Sequence, residues 1–153
     1  MKPDKTISIE PVAEGDVHAL YRLLQASGLP LDGLNEHLST ALVAKEGTQI
    51  VGSAALEVYS GSALLRSVAV AEPVRGTGLG RQLVEAAIGM AHQQQVQRLY
   101  LLTETAAEWF PRFGFAPVER TEVDAAVQRS VEFTSACPTS ARAMKLEIVS
   151  AQN

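Results

Sequence analysis

SALLRSVAVAEPVRGTGLGRQLVEAAIGMA, residues 62–91, reads as a hydrophobic strand, a glycine-rich turn from Arg75 to Gly80, and an amphipathic helix. Residues without side chains let several backbone N–H groups converge on one small space, and the helix that follows adds the positive end of its dipole. The turn therefore suits a pyrophosphate without any lysine. Its spacing narrows the choice. A P-loop closes on Gly-Lys followed by Ser or Thr, whereas Gly80 is followed by Arg81 and Gln82, so the groups that would reach a terminal phosphate and Mg²⁺ are missing. The dinucleotide fingerprint is G-x-G-x-x-G, whereas Gly76, Gly78 and Gly80 fall as G-x-G-x-G. Neither a nucleotide kinase nor an NAD-binding protein follows.

Before this stretch, TISIEPV alternates as a strand, and Glu14 to Ser27 puts Val17, Leu20, Tyr21 and Leu24 on one helical face that Gly28 ends. Leu29 to Leu38 has turn residues at Pro30, Asp32 and Gly33 yet keeps its leucines, which predicts a loop and short helix packing down as a lid. ALVAKEG and QIVGSAALEVY are strands separated by a turn at Glu46 to Thr48, and Ser60 with Gly61 makes the next turn. After the long helix come a strand at Arg98 to Thr103, a short helix at Ala106 to Phe113, and Gly114 with Phe115. The strand FAPVER, a helix from Thr121 to Phe133 and a closing strand from Arg142 to Val149 complete the chain. No repeat, linker or low-complexity segment interrupts it, so residues 1–153 read as one domain.

Composition agrees. Of 153 residues, 46% are hydrophobic and 20% charged, which suits a chain able to bury a core and rules out disorder. A net charge of −4 argues against nucleic acid or an anionic membrane as partner, since either needs a basic surface. The opening MKPDKTISIEP has no apolar run of a signal peptide, and no segment has the apolar length of a span; a cytoplasmic protein is expected. Cys137 is the single cysteine, so no internal disulfide forms, and it reads as an inert half-buried thiol. His18, His37 and His92 lie on separate segments and form no ligand cluster, so no metal is expected.

The loop resembles the acyl-CoA signature [QR]-x-x-G-x-[GA] of the GNAT superfamily of N-acetyltransferases, matched by Arg75, Gly78 and Gly80. The order of flanking elements is similar too: LLRSVAV before the loop, a long helix, RLYLLT, and a short helix ending at Gly114-Phe115. The resemblance implies an α/β fold with a mixed, partly splayed sheet flanked by helices, and acetyl-CoA as co-substrate. It implies that the amides of Gly76, Thr77, Gly78, Leu79 and Gly80 hold the pyrophosphate with Arg75 and Arg81 as charge partners. It further implies that the pantetheine arm lies beside Val68, Ala69 and Val70, with the N–H of Val70 or its neighbour facing the thioester oxygen. Many relatives carry a tyrosine four residues before the glycine of the Gly-Phe pair, where it protonates the leaving sulfur. Here that residue is Phe110, which cannot; water, Tyr100 or a nearby threonine is left for the task.

Substrate chemistry points to the hairpin before the loop. With its turn at Ser60 and Gly61, Glu57 falls opposite Leu64 and diagonal to Arg66 on the same face. A charge inside LLRSVAV needs a partner or an aqueous cleft. Either the two residues neutralise each other, or Arg66 holds an acidic group of the substrate while Glu57 receives the amine proton. Glu104 is the second candidate base. Ser67 would be a hydrogen-bonding contact, and His37, in the lid, could touch substrate.

The runs LLRSVAV, YLLTETAAEWFPRFGF and VEFTSACPTSARAM resemble in particular the ArsN-type acetyltransferases associated with arsenic resistance. That resemblance implies N-acetylation of a small amino-acid-like amine, an organoarsenical among the options; Arg66 suits an anionic one, and a single cysteine late in the chain favours direct attack in a ternary complex over a covalent acetyl-enzyme. A homodimer is in keeping with the family and with the apolar C-terminal strand. An acceptor of another kind (antibiotic, polyamine or protein N-terminus) and a non-catalytic acyl-CoA-binding module both stay open.

Overall fold

The hairpin that carries Glu57 and Arg66 lies at the centre of a seven-stranded sheet. The computed structural model describes residues 6–137 and 140–148. In chain order the elements are β1 (Ile7–Pro11), α1 (Val17–Ala26), β2 (Ala41–Glu46), β3 (Gln49–Tyr59), β4 (Ser62–Val70), α2 (Leu79–Gln93), β5 (Arg98–Thr103), β6 (Ala116–Pro117), α3 (Ala125–Gln128) and β7 (Arg142–Glu147). The strand order is β1-β2-β3-β4-β5-β7-β6. β4 and β5 run parallel, and the other neighbours are antiparallel. This is the mixed sheet flanked by helices that the sequence leads one to expect.

Strands β3 and β4 are apolar almost throughout because both of their faces are covered. On one face, Leu20 and Leu24 of α1 pack with Leu34, Ala41, Val43 and Ala55. On the other, Leu79, Leu83, Val84, Ala87 and Ala91 of α2 pack with Ala44, Ala54, Leu56, Leu65 and Leu99. Successive residues Ala54, Ala55 and Leu56 thus serve opposite cores, as the two-residue period of a strand requires. A third cluster joins Leu64, Tyr100 and Ala143 to Val123 and Val127 beside α3.

Two irregularities open the sheet where a ligand could enter. The parallel ladder pairs Ser62, Ala63 and Leu64 with Arg98, Leu99 and Tyr100, and runs no further. β3 and β4 also slip register: Ala55 faces Arg66 while Ser53 faces Ala69, which leaves Ser67 and Val68 opposite Ala54. This is a β-bulge, and Ser67 takes φ 61° to make it.

Three sequence expectations are corrected. The helix over Thr121 to Phe133 is broken: a short 3₁₀ turn at Arg120–Glu122 precedes α3, and Val123 and Asp124 between them are extended. Buried Val123 joins the Leu64 cluster, and Asp124 accepts hydrogen bonds from Arg98 (2.7 Å) and Tyr100 (3.1 Å), so tertiary contacts override the helical pattern. The strand FAPVER pairs only at Ala116 and Pro117. The helix before Gly114 shrinks to a 3₁₀ turn at Phe110–Phe113, where Pro111 lacks the N–H an α-helix would use. Val149, the expected end of the last strand, lies outside the described residues.

Candidate active site

The glycine turn leaves the end of β4 and enters α2, whose fifteen residues begin just after a left-handed Gly78. Gly76 (φ 82°) and Gly78 (φ 89°) adopt a backbone that L side chains rarely do, which turns the chain sharply around a cavity of about 410 Å³. Arg75, Arg81 and Arg112 stand on its wall. The Nε of Arg75 donates to Val70 O (2.9 Å), and Arg81 makes an exposed pair with Glu85 at 3.2 Å. Arg112 lies 5.4 Å from the Trp109 ring centroid and donates to Trp109 O. Thr77 Oγ1 donates to Val74 O, and the Leu79 side chain is buried in the α2 core, so Leu79 offers the cavity only its backbone. Sequence reasoning did not single out Arg112, which reaches the loop from the turn after β5.

Where β4 and β5 part, a cavity of about 220 Å³ forms between Arg66, Ser67 and Val68 on one side and Phe110, Glu132 and Cys137 on the other. It shares Trp109 with the glycine-turn cavity. A larger cavity of about 620 Å³ shares Leu29, Pro30 and Cys137 with it and carries the exposed carboxylates of Asp32 and Glu104. Phe110 is buried in an aromatic cluster with Trp109, Phe113 and Phe115. Tyr100 is fully covered and its hydroxyl donates to Asp124, so it is turned away from this space.

A buried charge cluster underlies the smaller cavity. Glu57 faces Leu64 across the hairpin, and its Oε2 lies 2.6 Å from Arg66 Nη1. Arg66 also donates to Asp32 O (2.7 Å) and Pro30 O (3.1 Å), which ties the lid segment to β4. Its Nε lies 3.3 Å from both Glu132 Oε2 and Ser67 Oγ. The Tyr59 hydroxyl donates to Glu57 Oε1, and His37 Nε2 is 3.6 Å from the same oxygen. With its side chain 0% exposed, Arg66 is committed to these partners, and a substrate anion would have to displace them.

Burial pushes the Glu132 carboxyl up to about 7; Arg66 pulls it down and Glu57 pushes it up. Burial, with Glu132 beside it, pushes the Cys137 thiol up to about 12, so Cys137 is a neutral donor to the Glu132 carboxylate. Burial and the bond to Glu57 raise the Tyr59 phenol as well. One guanidinium thus serves two carboxylates, one of which titrates near neutrality.

The sequence-derived candidates therefore separate. Arg66, Ser67 and Val68 line the smaller cavity, Glu104 stands on the rim of the larger one, and Glu57 lines neither. His37 is half-buried against Glu57 and edge-on to Tyr59. Glu132 was missed because it read as one more position of a helix. The only sequence cue is a lone carboxylate five residues before the single cysteine.

Comparison with known proteins adds a family. The acetyltransferase (GNAT) domain model matches residues 37–117, just over half of the chain, which span β2, the hairpin, the glycine turn, α2 and β5. An uncharacterized N-acetyltransferase of Chlorobaculum tepidum is 32% identical over 91 residues, covering 59% of this chain and 58% of its own length. An amino-acid acetyltransferase of Mycobacterium tuberculosis is 40% identical over 81 residues, 52% of this chain and 45% of that one. The chain thus spans about half the length of these relatives. Among solved structures, a Mycobacterium tuberculosis protein in complex with CoA superimposes with TM-score 0.80 at 27% identity, covering 93% of this chain and 99% of that one. The N-acetylglutamate synthase of Neisseria gonorrhoeae, complexed with coenzyme A and N-acetyl-glutamate, has the same fold (TM-score 0.80, 20% identity, 96% of this chain and 36% of that one).

Proposed function

Because this chain belongs to the GNAT acetyltransferase family, we propose that it transfers the acetyl group of acetyl-CoA to the amino group of a small, amino-acid-like acceptor. The observation that carries the reading is one continuous path. The glycine turn, with Arg75, Arg81 and Arg112 around its cavity, lies at one end of β4, and that cavity shares Trp109 with the one formed beside Val68 where β4 and β5 part. The pyrophosphate of CoA binds the amides of Gly76 to Gly80, with Arg75, Arg81 and Arg112 balancing its charge. The pantetheine arm enters the gap along Val68, Ala69 and Val70 as an added strand. A main-chain N–H at Val70 or its neighbour polarises the thioester carbonyl; losing one such donor costs about 2.7 to 4 kcal/mol in other enzymes.

The acceptor arrives through the larger cavity, where Asp32 and Glu104 favour an ammonium. Glu104 and Glu132 on the cavity walls, and Glu57 behind Arg66, are the carboxylates at hand for its proton; Arg66 and Ser67 set the shape and charge of the wall, with His37 backing Glu57 behind it. Since Phe110 has no proton to give, the sulfur leaves as a thiolate, which a thiol pKa of about 8.5 permits near neutral pH. The amino-acid acetyltransferase among the relatives supports an amino-acid acceptor. The ArsN-type resemblance extends this to anionic toxicants of that shape, organoarsenicals included. A cytoplasmic location and a homodimer through the apolar closing strand belong to the same reading.

A titration calorimeter and a thiol-release assay test it. Acetyl-CoA is expected to bind, and CoA thiol to appear with L-glutamate, L-glutamine or another amino acid rather than with spermidine. Gly78→Val, a β-branched residue at φ 89°, is expected to weaken acetyl-CoA binding about tenfold or more. A wild-type protein that does not bind acetyl-CoA would overturn the proposal, and one that binds it without turnover would be an acyl-CoA-binding module.

A further inference from the structure

Resting on the transferase reading, we infer that Glu132 is the catalytic base: its carboxylate, set in the cavity wall by Arg66 and Cys137, takes the proton of the acceptor amine. Of the three carboxylates, it alone both lines the smaller cavity, at 4% exposure, and is held there by a charged partner. Glu57 lines neither cavity, and its oxygens accept from Arg66 and Tyr59 with His37 3.6 Å away. Glu104 is open to solvent on the rim of the larger cavity, with no side-chain bond to aim it among those described. Glu132 lines the smaller cavity, across from the bulge at Ser67 and Val68 where the thioester would lie, with Oε2 at 3.3 Å from Arg66 Nε.

The groups around it set how it titrates. Arg66 faces it from β4, Glu57 and Tyr59 from β3, Asp32 from the lid segment and Cys137 from its own turn; His37 stands behind Glu57, and Glu104 lies beyond Cys137. Burial wins over Arg66, so the carboxyl loses its proton at about 7. A base of that strength is charged in half or more of the molecules at neutral pH and can still hold the proton it receives. Cys137, as a neutral thiol, donates to the carboxylate and steadies the charged form.

The step balances without further reagents. The Glu132 carboxylate takes one proton from the ammonium, giving a carboxylic acid and a free amine. The nitrogen lone pair forms the C–N bond, the carbonyl π pair moves to oxygen, and its return breaks the C–S bond. The CoA sulfur leaves with the C–S bonding pair as a thiolate and collects the second amine proton. Glu132 then returns its proton to solvent through the larger cavity.

The test measures kcat/KM for acetyl-CoA with L-glutamate, L-glutamine, glycine and spermidine across pH, for wild type, Glu132→Gln and Cys137→Ala, with acetyl-CoA affinity determined in parallel. In wild type the rate is expected to rise through an acid limb near pH 7. Glu132→Gln should bind acetyl-CoA as wild type does, lose about 100-fold or more at neutral pH, and lack the limb. Its deficit should shrink at alkaline pH, where the amine deprotonates unaided. Cys137→Ala removes a donor to the charged form and should move the limb to higher pH, which decides the matter even if Glu132→Gln does not fold. An intact limb in Glu132→Gln, or one unmoved in Cys137→Ala, overturns the assignment while leaving the transferase standing. A wild type that binds acetyl-CoA yet releases no thiol with any amine overturns both.

Discussion

Arg66 is a guanidinium with no exposed surface, and such a charge persists only when several acceptors converge on it. Glu57 is supplied by the hairpin, Glu132 by the turn before Cys137, and the carbonyls of Pro30 and Asp32 by the lid segment, so one side chain fixes three parts of the chain. Removing it leaves two buried carboxylates facing each other. Arg66→Ala is therefore expected to lower stability by about 3–5 kcal/mol in a urea titration. It should also raise the pH at which Glu132 titrates, because the pull of the cation is lost. Arg66→Lys should recover only part of the stability, since an ammonium cannot fork between carboxylates and carbonyls. Ser67 next to it adds strain: a non-glycine residue at φ 61° costs on the order of 1–3 kcal/mol, and here the bulge, the Ser53 hydroxyl bonded to Ser67 O and the Arg66 contact hold it there.

At the scale of elements, the site depends on α2 lying close enough to the sheet for the glycine turn to continue straight from β4. Gly52 permits that approach. A Cβ on it would sit 2.8 Å from Leu83 Cδ1, 3.2 Å from Ala69 O and 3.3 Å from Ala44 Cβ, and Leu83 is fully buried with little room to swing away. Gly52→Ala is expected to cost about 1–3 kcal/mol by overpacking and to lower affinity for acetyl-CoA as the turn shifts, measured by denaturation and calorimetry. The strands β2 to β5 and the helix α2 were legible in the sequence because each is a long run of one period bounded by glycine or polar turns. The pairing of Glu57 with Arg66 was legible too, since a two-residue turn fixes the register across a hairpin. Glu132 was not, because its partner on β4 lies half a chain away and nothing local marks it. The break at Val123 and Asp124 escaped for the same reason: Arg98 and Tyr100, which hold Asp124, belong to another strand. Contacts within one supersecondary unit can be read from spacing; those between units need the fold.

The whole molecule combines carboxylates of opposite behaviour, and its stability should show both. Burial raises the Asp124 carboxyl, but the bonds from Arg98 and Tyr100 outweigh it and hold Asp124 below the usual value. The Ala13 N–H and Lys45 do the same for Asp16. A depressed carboxylate contributes stability above its unfolded value that is lost as pH falls through the folded one, so these residues govern unfolding in acid. Glu132 has the reverse sign. Its folded value of about 7 lies above the ordinary 4.5, so its contribution is complete below 4.5 and is lost as pH rises through 7. Ionising it inside the protein thus works against the fold, by on the order of 3 kcal/mol. Glu132→Gln is expected to gain stability relative to wild type as pH rises from about 4.5 to 7, then to keep a constant lead, while both proteins share the same acid transition. Urea titrations of the pair across pH measure this difference. A flat difference would mean that the carboxyl is not charged against its surroundings, whereas the rising one is what a base kept ready at the expense of stability would give.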